Sequence, residues 1–300
     1  MGNIALDVSV DPRFAKPACL FYVIGAQKAG TSWLHDYFLC HGQVHVTAWK
    51  EADYWNTVRP PHDVNTRLAS ALADQDKVPR LLRPFLPPLI KRRNADQRMV
   101  AHIVRGAETG AHDGYADVLF QHYQGQPTLG EVNPQYARLG ADTFAEMAGM
   151  ARNVRFVFVM RDPVSRIMSR LRQTAARAGS DPVEMLAEAV ADGPGADLIA
   201  RSRYETVLAA LDDAVPAGQV ACFFYETLFV QAELDRLTGF LGVAPRKGWT
   251  GRKVFASKGA PFDVPEALDR DLVALLAPTY AAVRVRFGAQ VPKAWRRVDG

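Results

Sequence analysis

The densest chemistry in this sequence lies in Gly25-Ala26-Gln27-Lys28-Ala29-Gly30-Thr31-Ser32, between an apolar run at 19–24 and a stretch of helical spacing. Glycines let a chain turn tightly and approach an anion closely. A helix that starts there aims its first N–H groups at the same point and adds about half a positive charge. Lys28 supplies a mobile cation, and Thr31 and Ser32 supply hydroxyl donors. The common nucleotide loop places its lysine directly after the second glycine. Here both glycines keep that spacing, but Thr31 takes the lysine position and Lys28 stands inside the loop. The residues are those of a phosphate cradle, without the lysine that marks ATP- and GTP-hydrolysing loops.

A second anion site is written at Arg161-Asp162-Pro163, where an apolar run at 154–160 ends, with Ser169 further along. A cation at a strand end beside a helix start suits a phosphate. Arg161 is equally able to pair with Asp162. Lys50-Glu51 is a candidate proton acceptor with a neighbouring cation, although Lys-Glu pairs are also common on solvated surfaces. His102, His112 and His122 are competing bases in no recognisable context.

The elements that must carry these residues are legible in outline. Buried strands are expected at 19–24, 154–160 and 220–225, with a shorter extended piece at 128–132. Helices are expected after the first loop, ending near Gly42, and from Pro163, where proline suits a first turn. Further helices are expected at 197–213, up to Leu241 and at 265–287. Strands alternating with helices imply an α/β fold, a central mainly parallel sheet flanked by helices in three P-loop-like layers. No clean linker divides the chain, so 1–300 reads as one domain, and 57–127, rich in Pro, Arg and Gly, reads as an acceptor-side insertion.

Of the 300 residues, 48% are hydrophobic, enough for a sizeable core, and the formal net charge of +4 suits an anionic ligand. Without a clustered basic face or reading motif it does not argue for nucleic acid. Cys19, Cys40 and Cys222 are widely spaced and read as reduced, mostly buried thiols rather than a disulfide framework or zinc site. No apolar run approaches the ~18 residues of a membrane span, and the opening residues lack a secretory pattern. The expectation is a cytoplasmic protein with no membrane span and no catalytic metal.

The segment 21–34, Phe-Tyr-Val-Ile-Gly-Ala-Gln-Lys-Ala-Gly-Thr-Ser-Trp-Leu, resembles the 5′-phosphosulfate loop of the sulfotransferases that use 3′-phosphoadenosine 5′-phosphosulfate (PAPS). The resemblance implies that Lys28 contacts the phosphosulfate and stabilises the departing bridging oxygen. It implies that Gln27, Ala29, Gly30, Thr31 and Ser32 wrap the 5′-phosphate and that Trp33 stacks on adenine, although Trp33 also suits core packing. Arg161 and Ser169 match the spacing of that family's 3′-phosphate site. Ser257-Lys258-Gly259 resembles a nucleotide-covering loop of the heparan-modifying branch, with Ala260 in place of its arginine. Tyr225 matches a tyrosine that approaches adenine, and as the last residue of a strand it suits the core as well.

On the acceptor side, Lys50-Glu51 resembles the Lys-Glu pair of glycosaminoglycan sulfotransferases. This implies Glu51 as general base and Lys50 on the sulfuryl oxygens. Gly-Glu-Val-Asn-Pro-Gln-Tyr at 130–136 resembles an element beside the acceptor cleft, with Val132 replacing a lysine that touches anionic sugars. The resemblance spans 20–56, 128–178 and 197–287. It implies transfer of a sulfuryl group from PAPS to a hydroxyl or amine of a carbohydrate or small molecule, leaving 3′-phosphoadenosine 5′-phosphate (PAP). It names no acceptor and no oligomeric state. Two other readings stay open on the residues alone. One is a P-loop kinase or NTPase with an atypical loop, the other a protein that binds PAP without chemistry.

Overall fold

The computed structural model describes residues 10–47, 51–58, 106–107, 109–248 and 260–295. In chain order these form β1 (Cys19–Gly25), α1 (Thr31–Leu39), β2 (Val44–Val46), α2 (Tyr54–Val58), α3 (Asp113–Leu119), β3 (Thr128–Val132), α4 (Ala141–Gly149), β4 (Val154–Met160), α5 (Pro163–Ala178), α6 (Pro182–Ala191), α7 (Asp197–Ala200), α8 (Tyr204–Ala214), β5 (Val220–Phe224), α9 (Tyr225–Leu228), α10 (Gln231–Phe240) and α11 (Glu266–Phe287). The strands make one five-stranded sheet in the order β2-β3-β1-β4-β5. Every pairing is parallel.

β1 and β3 are buried at every position, and β4 at all but Arg155. A parallel sheet covered on both faces demands this, because each crossover lays a helix on one face. The register sets Tyr22 of β1 opposite Glu131 of β3 on one side and Phe156 of β4 on the other. From β1 the chain moves to β2 at one edge, returns to β3, then crosses β1 to reach β4 and β5. The direction of winding therefore reverses between β1 and β4, and ligands of open α/β sheets bind in the crevice at such a point.

β1, β3 and β4 fall where the apolar runs place them, and α5 begins at Pro163. Asp162 caps α5 by accepting from Ser165 N–H at 2.7 Å, and the helix ends at Gly179 with φ 69°. Two expectations are corrected. The helix expected at 197–213 is two helices, α7 and α8, broken at Ser202-Arg203. The fully buried Arg166 donates to the Leu198 carbonyl, which a continuous helix would use internally, and to Ser202 Oγ. Ser202 N–H turns instead to Ile199 O at 2.8 Å. Tyr225 is not the last residue of β5, which stops at Phe224, but the first of α9.

α11 is long and apolar enough by length and composition to cross a bilayer. In the fold only one of its faces packs on the core, through Leu272, Leu276, Tyr280 and Val283. A short turn at Lys293–Trp295 follows and buries Trp295 against Tyr204, Phe224 and Tyr280.

Candidate active site

The sheet delivers the chemistry-bearing residues to one edge, because the C-terminal ends of parallel strands lie together. β1 opens into the loop 25–32. Within it Lys28 takes φ 69° and Gly30 φ 83°, so the chain reverses twice before α1 begins. Gly30 precedes α1, and no side chain caps the helix there. A Cβ on Gly30 would stand 2.8 Å from the Phe229 ring and 3.3 Å from Tyr225. The loop is thus pressed on the aromatic wall of α9, and only glycine fits both the space and the backbone angle.

β4 ends beside β1, and its Arg161 closes the gap between the two strand ends. The guanidinium donates to the Lys28 carbonyl at 2.9 Å. It also lies over the Tyr225 ring, 4.5 Å from the centroid. Lys28, Gly30, Arg161 and Tyr225 are therefore one contiguous group, assembled from β1, β4 and the end of β5. Thr31 and Ser32 sit in the first turn of α1, the former buried. Gln27 has a buried Oε1 with no hydrogen-bond partner among the described residues, and it lines a small cavity with Pro134, Arg138, Ala200 and Arg201. Ala29 is fully buried. Ser169 is buried on the inner face of α5.

Trp33 is buried too. Its ring stacks on Tyr37 at 5.4 Å with 10° between planes and meets Phe229 edge-on. Lys50, Ser257, Lys258, Gly259 and His102 lie outside the described residues.

The turn that carries Arg161 is braced from behind. Asp162 N–H donates to Glu226 at 2.9 Å, and the Trp295 indole N–H reaches the other oxygen of Glu226 at 3.1 Å. The Tyr280 hydroxyl donates to the Asp162 carboxylate at 2.8 Å. Arg161 N–H and C=O both face the Tyr204 hydroxyl. Asp162 is thus spent on capping and bracing, which leaves the Arg161 side chain to the crevice.

Glu51 stands in the turn 51–53 that leads into α2. Glu51 and Asp53 both take left-handed angles, φ 65° and 56°. The turn is pinned to the end of β3. Ala52 N–H donates to Glu131 at 3.2 Å, and the Asn133 amide donates to Asp53 at 3.0 Å. Burial pushes the Asp53 carboxyl up from its ordinary range, opposed by the Asn133 and Asn56 amides. Of the other bases, His112 is buried, with its ring against the Tyr54 hydroxyl and Nε2 3.3 Å from Glu146.

Sequence reasoning placed Glu131 in the 130–136 element without giving it a role, and it missed Glu226. Glu131 had a readable signal, since it is a carboxylate inside the short apolar strand Thr-Leu-Gly-Glu-Val. It is fully buried and accepts from Tyr115 at 2.6 Å, from Tyr136 at 2.9 Å and from Asn133 at 3.3 Å. Burial pushes its pKa up to about 7 despite these donors. Glu226 gave no such signal, because its partners are more than sixty residues away in sequence.

A profile described as the sulfotransferase family matches residues 21–246. No curated protein matches the chain. Among solved structures, the sulfotransferase from Alicyclobacillus acidocaldarius is similar at 21% identity and a TM-score of 0.62, over 94% of this chain and 100% of that one. The sulfotransferase domain of the Synechococcus PCC 7002 olefin synthase aligns at 18% identity and a TM-score of 0.46, over 89% of this chain and 96% of that one. At 21% identity the Alicyclobacillus structure speaks to the fold alone, and the profile speaks to the family.

Proposed function

Because the chain belongs to the sulfotransferase family, we propose that it moves a sulfuryl group from PAPS to a hydroxyl or amine, with Lys28 at the leaving group and Glu51 as general base. The observation that carries this reading is the Arg161–Lys28 contact at the point where the sheet reverses its winding. It joins two anion-binding elements in one crevice, and a nucleotide with separate 5′ and 3′ phosphates needs both.

The residues fit that substrate. The 25–32 loop, glycine-bounded and leading into a helix without a side-chain cap, offers N–H groups and the Lys28 cation to the 5′-phosphosulfate. Arg161 offers a guanidinium to the 3′-phosphate, for which its planar fork is suited, and Ser169 on α5 is proposed to add a hydroxyl donor. Tyr225 offers a ring face beside Arg161. On the acceptor side, Glu51 takes the proton as the acceptor oxygen or nitrogen attacks sulfur. The bond from sulfur to the bridging oxygen breaks, and the electron pair leaves on PAP, where Lys28 balances the new charge. Lys50 adds a cation for the sulfuryl oxygens. As in phosphoryl transfer, alignment and charge stabilisation supply most of the rate, and the base contributes ~10²–10⁴-fold.

The test is calorimetric titration of the purified protein with PAP, ADP and ATP, with and without Mg²⁺. Micromolar PAP binding, far tighter than ADP and indifferent to Mg²⁺, supports the two-phosphate site. Preference for ATP with Mg²⁺ refutes it.

A further inference from the structure

We propose that Glu131 is a positioning residue for the general base. It acts by holding the Ala52 amide, so that the turn 51–53 presents Glu51 to the crevice. The inference rests on the reading of Glu51 given above.

Two adjacent-but-one residues without glycine's freedom, Glu51 and Asp53, occupy left-handed backbone angles. Such angles are costly for residues other than glycine and persist only where surroundings impose them. The imposing group here is the end of β3. Glu131 Oε1 accepts from the amide between the two strained residues, and Asn133, two residues on, holds the Asp53 carboxylate. Asn133 also donates to Glu131, so the two anchors are coupled. On its other side Asn133 N–H donates to Val23 O of β1 at 2.9 Å, two residues before the loop begins. One short path of hydrogen bonds therefore connects the base turn to the strand that carries Lys28.

The groups that face Glu131 come from each element around it. These are Tyr22 on β1, Tyr115 on α3, Asn133 and Tyr136 after β3, and Ala52 with Asp53 from the turn. Every hydrogen bond it accepts among the described residues comes from a neutral donor. A carboxylate has about four acceptor positions, and those donors occupy them. A residue so fully committed cannot itself reach an acceptor substrate. Its chemistry is exercised through Ala52.

The test uses the full chain as Glu131→Gln, Glu131→Asp, Glu51→Gln and the double variant Glu51→Gln/Glu131→Gln. Amide exchange at Ala52 by NMR reads the hold on the turn, and PAP calorimetry reads the nucleotide site. Release of PAP from PAPS, with 4-nitrophenol and glucosamine as acceptor probes, reads turnover. Glu131→Gln should speed Ala52 exchange by tenfold or more, keep PAP affinity and the KM for PAPS, and lower kcat by about 10–100-fold. Glu131→Asp should recover part of both losses. The double variant should be no slower than Glu51→Gln alone, since the two residues act as one unit. Unchanged Ala52 exchange, or fully additive losses in kcat, overturns the proposal. If neither probe is turned over, Ala52 exchange decides. Absence of PAP binding in the unaltered protein refutes the nucleotide reading instead, while Ala52 exchange still judges the anchor.

Discussion

The Tyr280 hydroxyl, on the last long helix, donates to the buried carboxylate of Asp162 at 2.8 Å. Asp162 is the cap of α5 and the neighbour of Arg161, so a helix near the end of the described chain fixes the angle of a candidate phosphate ligand. Tyr280→Phe leaves a buried carboxylate oxygen short of a donor, which costs about 1–3 kcal/mol. The expected result is a lower midpoint in thermal or urea unfolding, together with weaker PAP binding. Unchanged stability would show that the oxygen finds another partner.

Arg161→Ala should weaken PAP much more than adenosine 5′-phosphosulfate, which lacks the 3′-phosphate. The same substitution removes the donor to the Lys28 carbonyl, so a smaller loss for adenosine 5′-phosphosulfate is expected as well. Equal losses for the two ligands would take Arg161 out of the 3′-phosphate site. Lys28→Ala, by contrast, should reduce turnover by orders of magnitude with the fold retained, checked by circular dichroism beside the PAP-release assay.

Gly30→Ala carries two separate penalties. The methyl group enters the space of Phe229, and the residue must hold φ 83°. The backbone part alone costs about 1 kcal/mol. The second substitution Phe229→Leu should therefore restore only part of the lost PAP affinity. Full restoration would mean that the clash alone matters, and no loss at all would mean that the loop is not held against α9.

The raised pKa of Glu131 gives a pH signature. Its folded value, about 7, lies above the ordinary 4.5, so between these the folded chain binds a proton that the unfolded chain has released. Stability from this group is complete below about pH 4.5, declines as pH rises towards 7 and is flat beyond. The decline amounts to about 3 kcal/mol. Glu131→Gln has no such proton. Unfolding curves of both proteins from pH 4.5 to 8 should show the unaltered chain losing ground to the variant up to about 7 and not beyond. A constant difference across the range would place the proton elsewhere.

Much of the frame was legible because the apolar runs behind β1 and β4 have no reading other than buried strands. The loop 25–32 was legible because glycine, lysine and hydroxyl spacing is local. What escaped depends on partners distant in sequence. β2 is three residues with His45 in the middle, too short to show a period, and exists because β3 offers it an edge. The break between α7 and α8 is dictated by Arg166, whose guanidinium takes a helix carbonyl from thirty residues away. Tyr225 opens α9 rather than closing β5 and packs beside Gly30, a neighbour far away in sequence. Glu131 shows both cases at once, since its burial was readable from the strand around it while its partners Ala52 and Tyr115 were not.

The reversal of winding between β1 and β4 also has a kinetic side. The crevice has no existence in any contiguous stretch of chain. It appears only when β3 and β4, more than a hundred residues after β1, have both docked on it. Pairings so distant are slow to form, because loop closure precedes any gain from contact. A ligand that spans the two strand ends recognises only the finished sheet, and it stabilises that state by mass action. On the reading proposed above, a nucleotide bound there would favour the assembled sheet, and refolding yield should rise with its concentration.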